Sequence, residues 1–297
     1  MDHRLKRHPL GYWEIANKPT SQELRQYYAE KYYQENPGTG YEFEYSSDEL
    51  SCFRARLEQR WVVLKNILSP GINGVRMLDV GCGEGYALAF FREHGWSVKG
   101  LDFSSAGVEA KNPACKDVLV TGDIFSLLKS EVDAGQMYDV VWLQNVLEHV
   151  LDPPGLLRSL RKLVSPGGLA MVTVPNDYSI TQRSALAYQH IDREFWVAPP
   201  EHLTFFDHVS LVATAKDAGW ECLEMLGDFP VDWFLFHPGS NYVRDGDLGK
   251  DAHKARVQIE KLIHEQPIED VIRFWSATAK LGFGRNITVF LRPARGN

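Results

Sequence analysis

Cysteine is scarce in this sequence. There are four in 297 residues (Cys52, Cys82, Cys115 and Cys222), and no two stand at CxxC spacing. That excludes a disulfide framework and a cysteine-built zinc site, and it suits reduced, semi-buried thiols in a cytoplasmic protein. Long apolar runs are missing too. Nothing approaches the roughly 18 to 20 consecutive apolar residues that cross a bilayer, so no membrane partner is expected. The opening MDHRLKRHPLGYW has no apolar centre and does not read as a secretion signal. Basic runs are absent and the formal net charge is −7, which argues against nucleic acid as a partner. There is no internal repeat and no low-complexity tract. What remains is a chain that is 44% hydrophobic, long enough for one large domain with additions.

Residues 1–70 are expected to form a helical cap. SQELRQYYAEKYYQ starts on Ser21, and DELSCFRARLEQRWVVLKNIL (48–68) starts on Asp48 and meets no breaker before Ser69-Pro70-Gly71. The texture then changes. VRMLDV (75–80) reads as a buried strand running into GCGEG, followed by a helix that Gly95 ends. WSVKGLD (96–102), DVLVTGD (117–123), YDVVWLQN (138–145) and LAMVTVPN (169–176) read as further strands. Between the last two, a helix starts with Asp152 as cap and Pro153 at its first position, and SPGG turns the chain. HVSLVATAKDAGWECLEML (208–226) reads as helix, glycine turn and sixth strand, and RNITVFLRP (285–293) as the last. Alternating strands and helices with short turns indicate a doubly wound α/β fold, its seven-stranded sheet mostly parallel. The cofactor-type core is placed at 71–226, an aromatic and helical insertion at 227–284, and the final strand and tail at 285–297. The insertion is a candidate lid or homodimer face.

In such a sheet, ligands bind beyond the carboxyl ends of the strands. DVGCGEGY, Asp79 to Tyr86, follows the first strand there. Gly81 and Gly83 remove side chains where backbone must approach a ligand, and Gly85 allows tight packing as the helix begins. The spacing is G-x-G-x-G, not the G-x-G-x-x-G of dinucleotide sites, and Glu84 is a poor neighbour for phosphate. Asp102 ends the second strand and Asp123 the third. Three carboxylates on one edge suit a ligand with a ribose, an exocyclic amine and a cationic centre. They suit a pyrophosphate badly, which counts against a nicotinamide-dependent oxidoreductase.

DVGCGEG, GLDFS and GDIF together resemble the class I S-adenosylmethionine-dependent methyltransferases. YDVVWLQNVLEHVLDP with LVSPGG is similar to the ubiquinone-biosynthesis O-methyltransferase branch and related small-molecule methyltransferases. The resemblance covers about residues 70–226. It implies a Rossmann-like fold, S-adenosylmethionine as cofactor and S-adenosylhomocysteine as product. It implies that Asp79, Gly81, Cys82 and Gly83 line the methionine end, that Asp102 takes the ribose hydroxyls and that Phe103 covers the adenine. It further implies that Asp123 and the Ile124 amide meet the adenine edge, that the Gln144 carbonyl meets the ammonium, and that Arg60 (or Arg56) pairs with the carboxylate. Tyr28, Tyr32 and Tyr33 are a candidate lid over that cofactor.

Methyl transfer from a sulfonium is an in-line displacement in which the cofactor carries the reactive group. A general base is useful but secondary. His202 in APPEHLTFF is the first candidate, His149 the second, and Asp177 at the end of the fifth strand the third. In the resembling branch a glutamate three positions before Glu-His accompanies a divalent metal. Here Asn145 stands at that place, so no metal is expected. The expected activity is O-methylation of a small molecule such as a sugar or natural-product intermediate. The other readings are N- or C-methylation, methylation of protein or RNA, and cofactor binding without catalysis.

Overall fold

A computed structural model describes residues 2–24, 26–27, 44–68 and 74–295. Strands Arg76–Val80 (β3), Ser97–Asp102 (β4), Leu119–Thr121 (β5), Tyr138–Gln144 (β6), Val164–Pro175 (β7), Trp220–Gly227 (β9) and Asn286–Pro293 (β10) form one sheet, ordered β5-β4-β3-β6-β7-β10-β9. The first five run parallel, and β10 is antiparallel to both of its neighbours. Alternate residues of the central strands serve opposite faces, as the pleat dictates. Leu78, Val80, Val141 and Leu143 pack with helices Pro153–Arg161 and His208–Asp217. Met77, Val140 and Trp142 pack on the other face with helices Ser47–Ile67, Tyr86–Glu93 and Ile268–Lys280. Burial on both faces is why these strands read as apolar runs. From β3 the chain winds one way through β4 and β5, then returns to β6 and winds the other way. The crevice at the carboxyl ends of β3 and β6 lies at that reversal.

The first residues depart from the expected helical cap. Leu5–Arg7 (β1) and Trp13–Ile15 (β2) form a hairpin, which Thr204–Phe205 (β8) joins to make a second, antiparallel sheet. Tyr12 anchors it, 2% exposed and against Phe206. Short alternating strands of this kind carry little periodicity, and the pairing to residue 204 is nonlocal. The helix at Ser21 is capped by Thr20, whose hydroxyl accepts from the Glu23 amide while Glu23 accepts in return. Tyr28, Tyr32 and Tyr33 lie outside the described residues. Helix Ser47–Ile67 is capped by Ser46 in a capping box with Glu49, two residues before the expected Asp48. SPGG is not a turn but part of β7, where pairing with β6 shifts register between Tyr138 and Val140. A side chain at Gly168 would sit 2.8 Å from the Asp139 carbonyl, so glycine lets the strands close there.

Between β9 and β10 stand helices Gly249–His264 and Ile268–Lys280. Val271 and Trp275 of the second are buried in the sheet core. The first lies along Ser47–Ile67, tied by Lys261 to Asp48, His253 to Glu49 and Arg56 to Glu260.

Candidate functional site

The carboxyl ends of β3, β4 and β6 open into a cleft of about 1430 Å³. Single-ligand pockets commonly hold about 300–1,000 Å³, so there is room for a cofactor and an acceptor. Its floor is the glycine loop. The Gly81 and Cys82 amides donate to the Leu101 carbonyl at 2.7 and 3.3 Å, which pins the loop to β4. Gly81 has φ +75°, and a side chain there would strike Val146 at 2.4 Å. A glycine outside the motif matters as much. A Cβ on Gly107 would lie 2.5 Å from the Gly83 carbonyl oxygen, so helix Ala106–Lys111 can approach the loop only without one.

Asp102 has a second task beyond any ligand. Its Oδ2 accepts from the Gly83 amide at 2.8 Å and its Oδ1 from the Ser104 amide at 3.1 Å. Burial raises its carboxyl pKa, and those amides offset only part of the rise. Asp79 is 2% exposed, and burial together with the Asp102 charge pushes its carboxyl well up. A cation arriving beside Asp79 would favour its ionised form, so the pair is suited to a positively charged ligand. Cys82 lines the cleft, but burial pushes its thiol far up, away from nucleophilic reactivity.

Phe103, Asp123 and Ile124 line one wall. Asp123 caps helix Ile124–Asp133, its Oδ1 accepting from the Ser126 amide and hydroxyl. Ile124 is the first helical residue, so its amide has no acceptor within the helix. Tyr45, Phe53 and Tyr86 form an aromatic cluster at the cleft, with ring centroids 5.0 to 6.1 Å apart. The Tyr45 hydroxyl donates to Glu84 at 3.0 Å. These aromatics stand apart in sequence and have no local signature.

Arg60 enters from helix Ser47–Ile67. Its guanidinium donates to the Gln144 side chain at 2.8 Å and to the Thr288 hydroxyl at 3.3 Å, over the Trp142 ring. Burial lowers its pKa to about 10. Among the described residues its hydrogen-bond partners are neutral, which leaves the cation suited to an anionic ligand group. Arg56, the alternative, donates instead to Glu260 at 2.8 Å.

The proton-handling candidates form a stack of which His149 alone lines the cleft. Its Nδ1 lies 2.6 Å from the Glu201 carbonyl oxygen. A carbonyl only accepts, so Nδ1 carries the hydrogen and Nε2 is the basic nitrogen of the neutral ring. His202 lies behind it, ring centroids 5.0 Å apart, and its Nδ1 is 4.0 Å from Asp177 Oδ2. Asp177 is 1% exposed and accepts from Arg285 at 3.1 Å. Burial pushes its carboxyl up to about 6. His149 lines the cleft and His202 and Asp177 do not, so His149 stands nearer to it than His202, the first candidate from sequence. The loop 195–203 carries His202 beneath the turn Leu147–His149, a placement no local pattern encodes.

Glu148 is 1% exposed, and burial pushes its carboxyl up to about 8. Glu148, His149 and His202 each offer a ligand atom within 4.8 Å of one another. One carboxylate and two imidazoles do not suit a hard ion such as magnesium, which takes several oxygens. Asn145 adds no charge. It sits at φ +53°, a left-handed position that asparagine tolerates better than glutamate. No step is assigned to a metal.

Residues that sequence reasoning missed come largely from the insertion and the strand after it. Asp228, His253, Arg256, Arg285 and Asn286 all line the cleft.

A family model described as a methyltransferase domain matches residues 23–225. The ubiquinone biosynthesis O-methyltransferase of Vibrio cholerae is 33% identical over 156 residues, covering 48% of this chain and 62% of that protein. The Vibrio vulnificus protein of the same name is 39% identical over 105 residues, covering 34% and 43%. The matched stretch therefore spans less than two thirds of either relative. A solved structure, a SAM dependent methyltransferase from Archaeoglobus fulgidus, aligns with TM-score 0.51 and 18% identity over 90% of this chain and 98% of that one. That is a likeness of fold.

Proposed function

This chain belongs to the methyltransferase-domain family, and from that premise we propose that it transfers a methyl group from S-adenosylmethionine to a hydroxyl of a small molecule. The observation that carries the reading is the glycine-built, acidic end of the cleft. There Asp79, Asp102 and Asp123 lie along one sheet edge, Asp79 buried and raised in a way that a cation would relieve. A ribose, an amine and a positive centre fit that edge, and a pyrophosphate does not. Bound there, S-adenosylmethionine supplies an activated methyl on a sulfonium. The protein supplies the rest. Asp102 holds the loop and accepts from ribose hydroxyls, and Phe103 flanks the base. Asp123 and the Ile124 amide meet its edge. Asp79, the Gly81–Gly83 backbone and the Gln144 carbonyl surround the methionine end, and Arg60 receives its carboxylate.

His149, which lines the cleft with its Nε2 3.7 Å from Glu148 Oε1, is the candidate to take the acceptor's proton. His202 and Asp177 stand behind it as positioning groups, with Arg285 neutralising Asp177. The cleft volume and the aromatics Tyr45, Phe53 and Tyr86 support an enclosed small-molecule acceptor, such as a sugar or natural-product intermediate. The free thiols support a cytoplasmic setting. Ile259, Leu262, Phe274 and Leu281 are exposed on or beside the insertion helices, which supports a homodimer face that light scattering would test.

Thermal melting tests the central reading. S-adenosylmethionine and S-adenosylhomocysteine should each stabilise the protein and NAD should not. Stabilisation by NAD alone would overturn it.

A further inference from the structure

The two ends of the cleft differ in charge. The glycine loop and the strand ends carry Asp79, Glu84, Asp102 and Asp123, whereas helices Ser47–Ile67 and Gly249–His264 bring Arg56, Arg60 and Arg256 to the lining. We propose that the acceptor is an anion, and that Arg56 and Arg256 form the subsite for its carboxylate or phosphate group. This rests on the methyltransferase reading of the same cleft.

Glu260 is fully buried, and its two oxygens serve two guanidiniums: Oε1 accepts from Arg56 at 2.8 Å and Oε2 from Arg256 at 3.3 Å. One negative charge is thus shared between two positive ones. A second carboxylate in the cleft lining, Asp228, accepts from the Asn286 backbone amide and side chain at 2.8 and 2.6 Å, and burial raises its carboxyl. Arg285 does not help the count, because Asp177 already balances it. Among the described residues, Arg56 and Arg256 hydrogen-bond one carboxylate between them, and Arg60 hydrogen-bonds none. Cofactor binding would engage Arg60 through its carboxylate, which leaves Arg56 and Arg256 sharing Glu260. An uncompensated cation in a partly desolvated cleft is costly unless a ligand supplies the anion.

A role confined to holding helices Ser47–Ile67 and Gly249–His264 together explains less. Lys261 with Asp48 and His253 with Glu49 already join them, one partner to each carboxylate. Arg256 adds a second guanidinium to a carboxylate that Arg56 already occupies. Its side chain is only 19% exposed, yet it lines the cleft, and among the described residues it makes one hydrogen bond, from a single Nη atom. The remaining N–H groups form the planar fork that suits carboxylate and phosphate oxygens.

Calorimetry on the full chain tests this, using glucose 1-phosphate, glucuronate and glucose as probes for phosphate, carboxylate and neutral acceptors. Each titration is run with and without saturating S-adenosylhomocysteine. Failure of S-adenosylhomocysteine itself to bind would count against the methyltransferase reading, while the anion titrations still report on the arginines. At least one anionic sugar should bind about tenfold or more tighter than glucose. Arg256→Gln should erase that difference and Arg256→Lys should restore part of it. Glu260→Gln should act in the opposite direction, tightening the anion, because it removes the internal competitor. Anionic sugars that bind no better than glucose, or do not bind at all, would overturn the proposal. So would an Arg256→Gln protein that folds and keeps the parent's preference, or a Glu260→Gln protein with no gain.

Discussion

The two ends of the cleft are built on different principles. The acidic end is local: Asp79 stands near the end of β3, Gly81 to Gly85 form the loop that follows, and Asp102 reaches it because β3 and β4 are adjacent parallel strands. The basic end is assembled across the chain. Arg56 meets Glu260 from 204 positions away, and Arg60 meets Thr288 from 228. One end is fixed by backbone geometry, the other by how an insertion happens to lie on a helix. The difference teaches where specificity resides. A cofactor common to many reactions calls for a repeatable backbone cradle, whereas an acceptor is selected by side chains that an insertion can vary.

Substitutions at each end should separate these roles. The largest effect is expected at the acceptor side. His149→Ala should lower kcat about 10²–10⁴-fold while leaving cofactor affinity near its parent value. His202→Ala should lower kcat less, since it acts through His149. Equal losses in steady-state assays of the two variants would remove that distinction. At the cofactor end, Asp102→Ala should weaken S-adenosylhomocysteine about a hundredfold, because both the ribose acceptor and the tether on Gly83 are lost. A variant that still binds tightly in calorimetry would mean the loop stands without its tether.

The effect of Glu148→Gln should appear as a pH dependence of stability. The folded carboxyl titrates at about 8, against 4.5 normally, because burial disfavours its charge. The folded state therefore holds the proton more tightly. Stability from this group is full below the unfolded value and is lost as pH rises from about 4.5 towards 8. Glu148→Gln should flatten that slope and be the more stable protein at pH 9, by on the order of a few kcal/mol. Chemical denaturation at pH 6 and 9 checks both points. The smallest effect expected is that of a chelator: turnover should be unchanged after EDTA treatment, since no metal step is proposed. A loss restored by zinc would instead assign a ligand role to Glu148, His149 and His202.

Much of the sheet was legible in the sequence because buried parallel strands are apolar runs, and the glycine loop because its φ angles admit little else. The strand boundaries fall within a few residues of those expected for β3, β4, β6 and β9. SPGG misled because two glycines serve a bulged strand as well as a turn. The N-terminal hairpin was missed because its third strand is Phe205 and its neighbour, far along the chain. At the site, His149 and His202 were both visible as candidates. Their order was not, because it depends on which ring stands in front.

The sequence by itself determined the fold class, the cofactor-type loop and the acidic residues at the strand ends. In each case the information lies in residues that are adjacent in the chain or one strand apart. Only the tertiary structure decided which histidine reaches the cleft, that Asp102 tethers the loop, and that Arg56 and Arg256 converge on one buried carboxylate. Those facts depend on distances between segments as much as two hundred residues apart, which tertiary packing sets and no local pattern records.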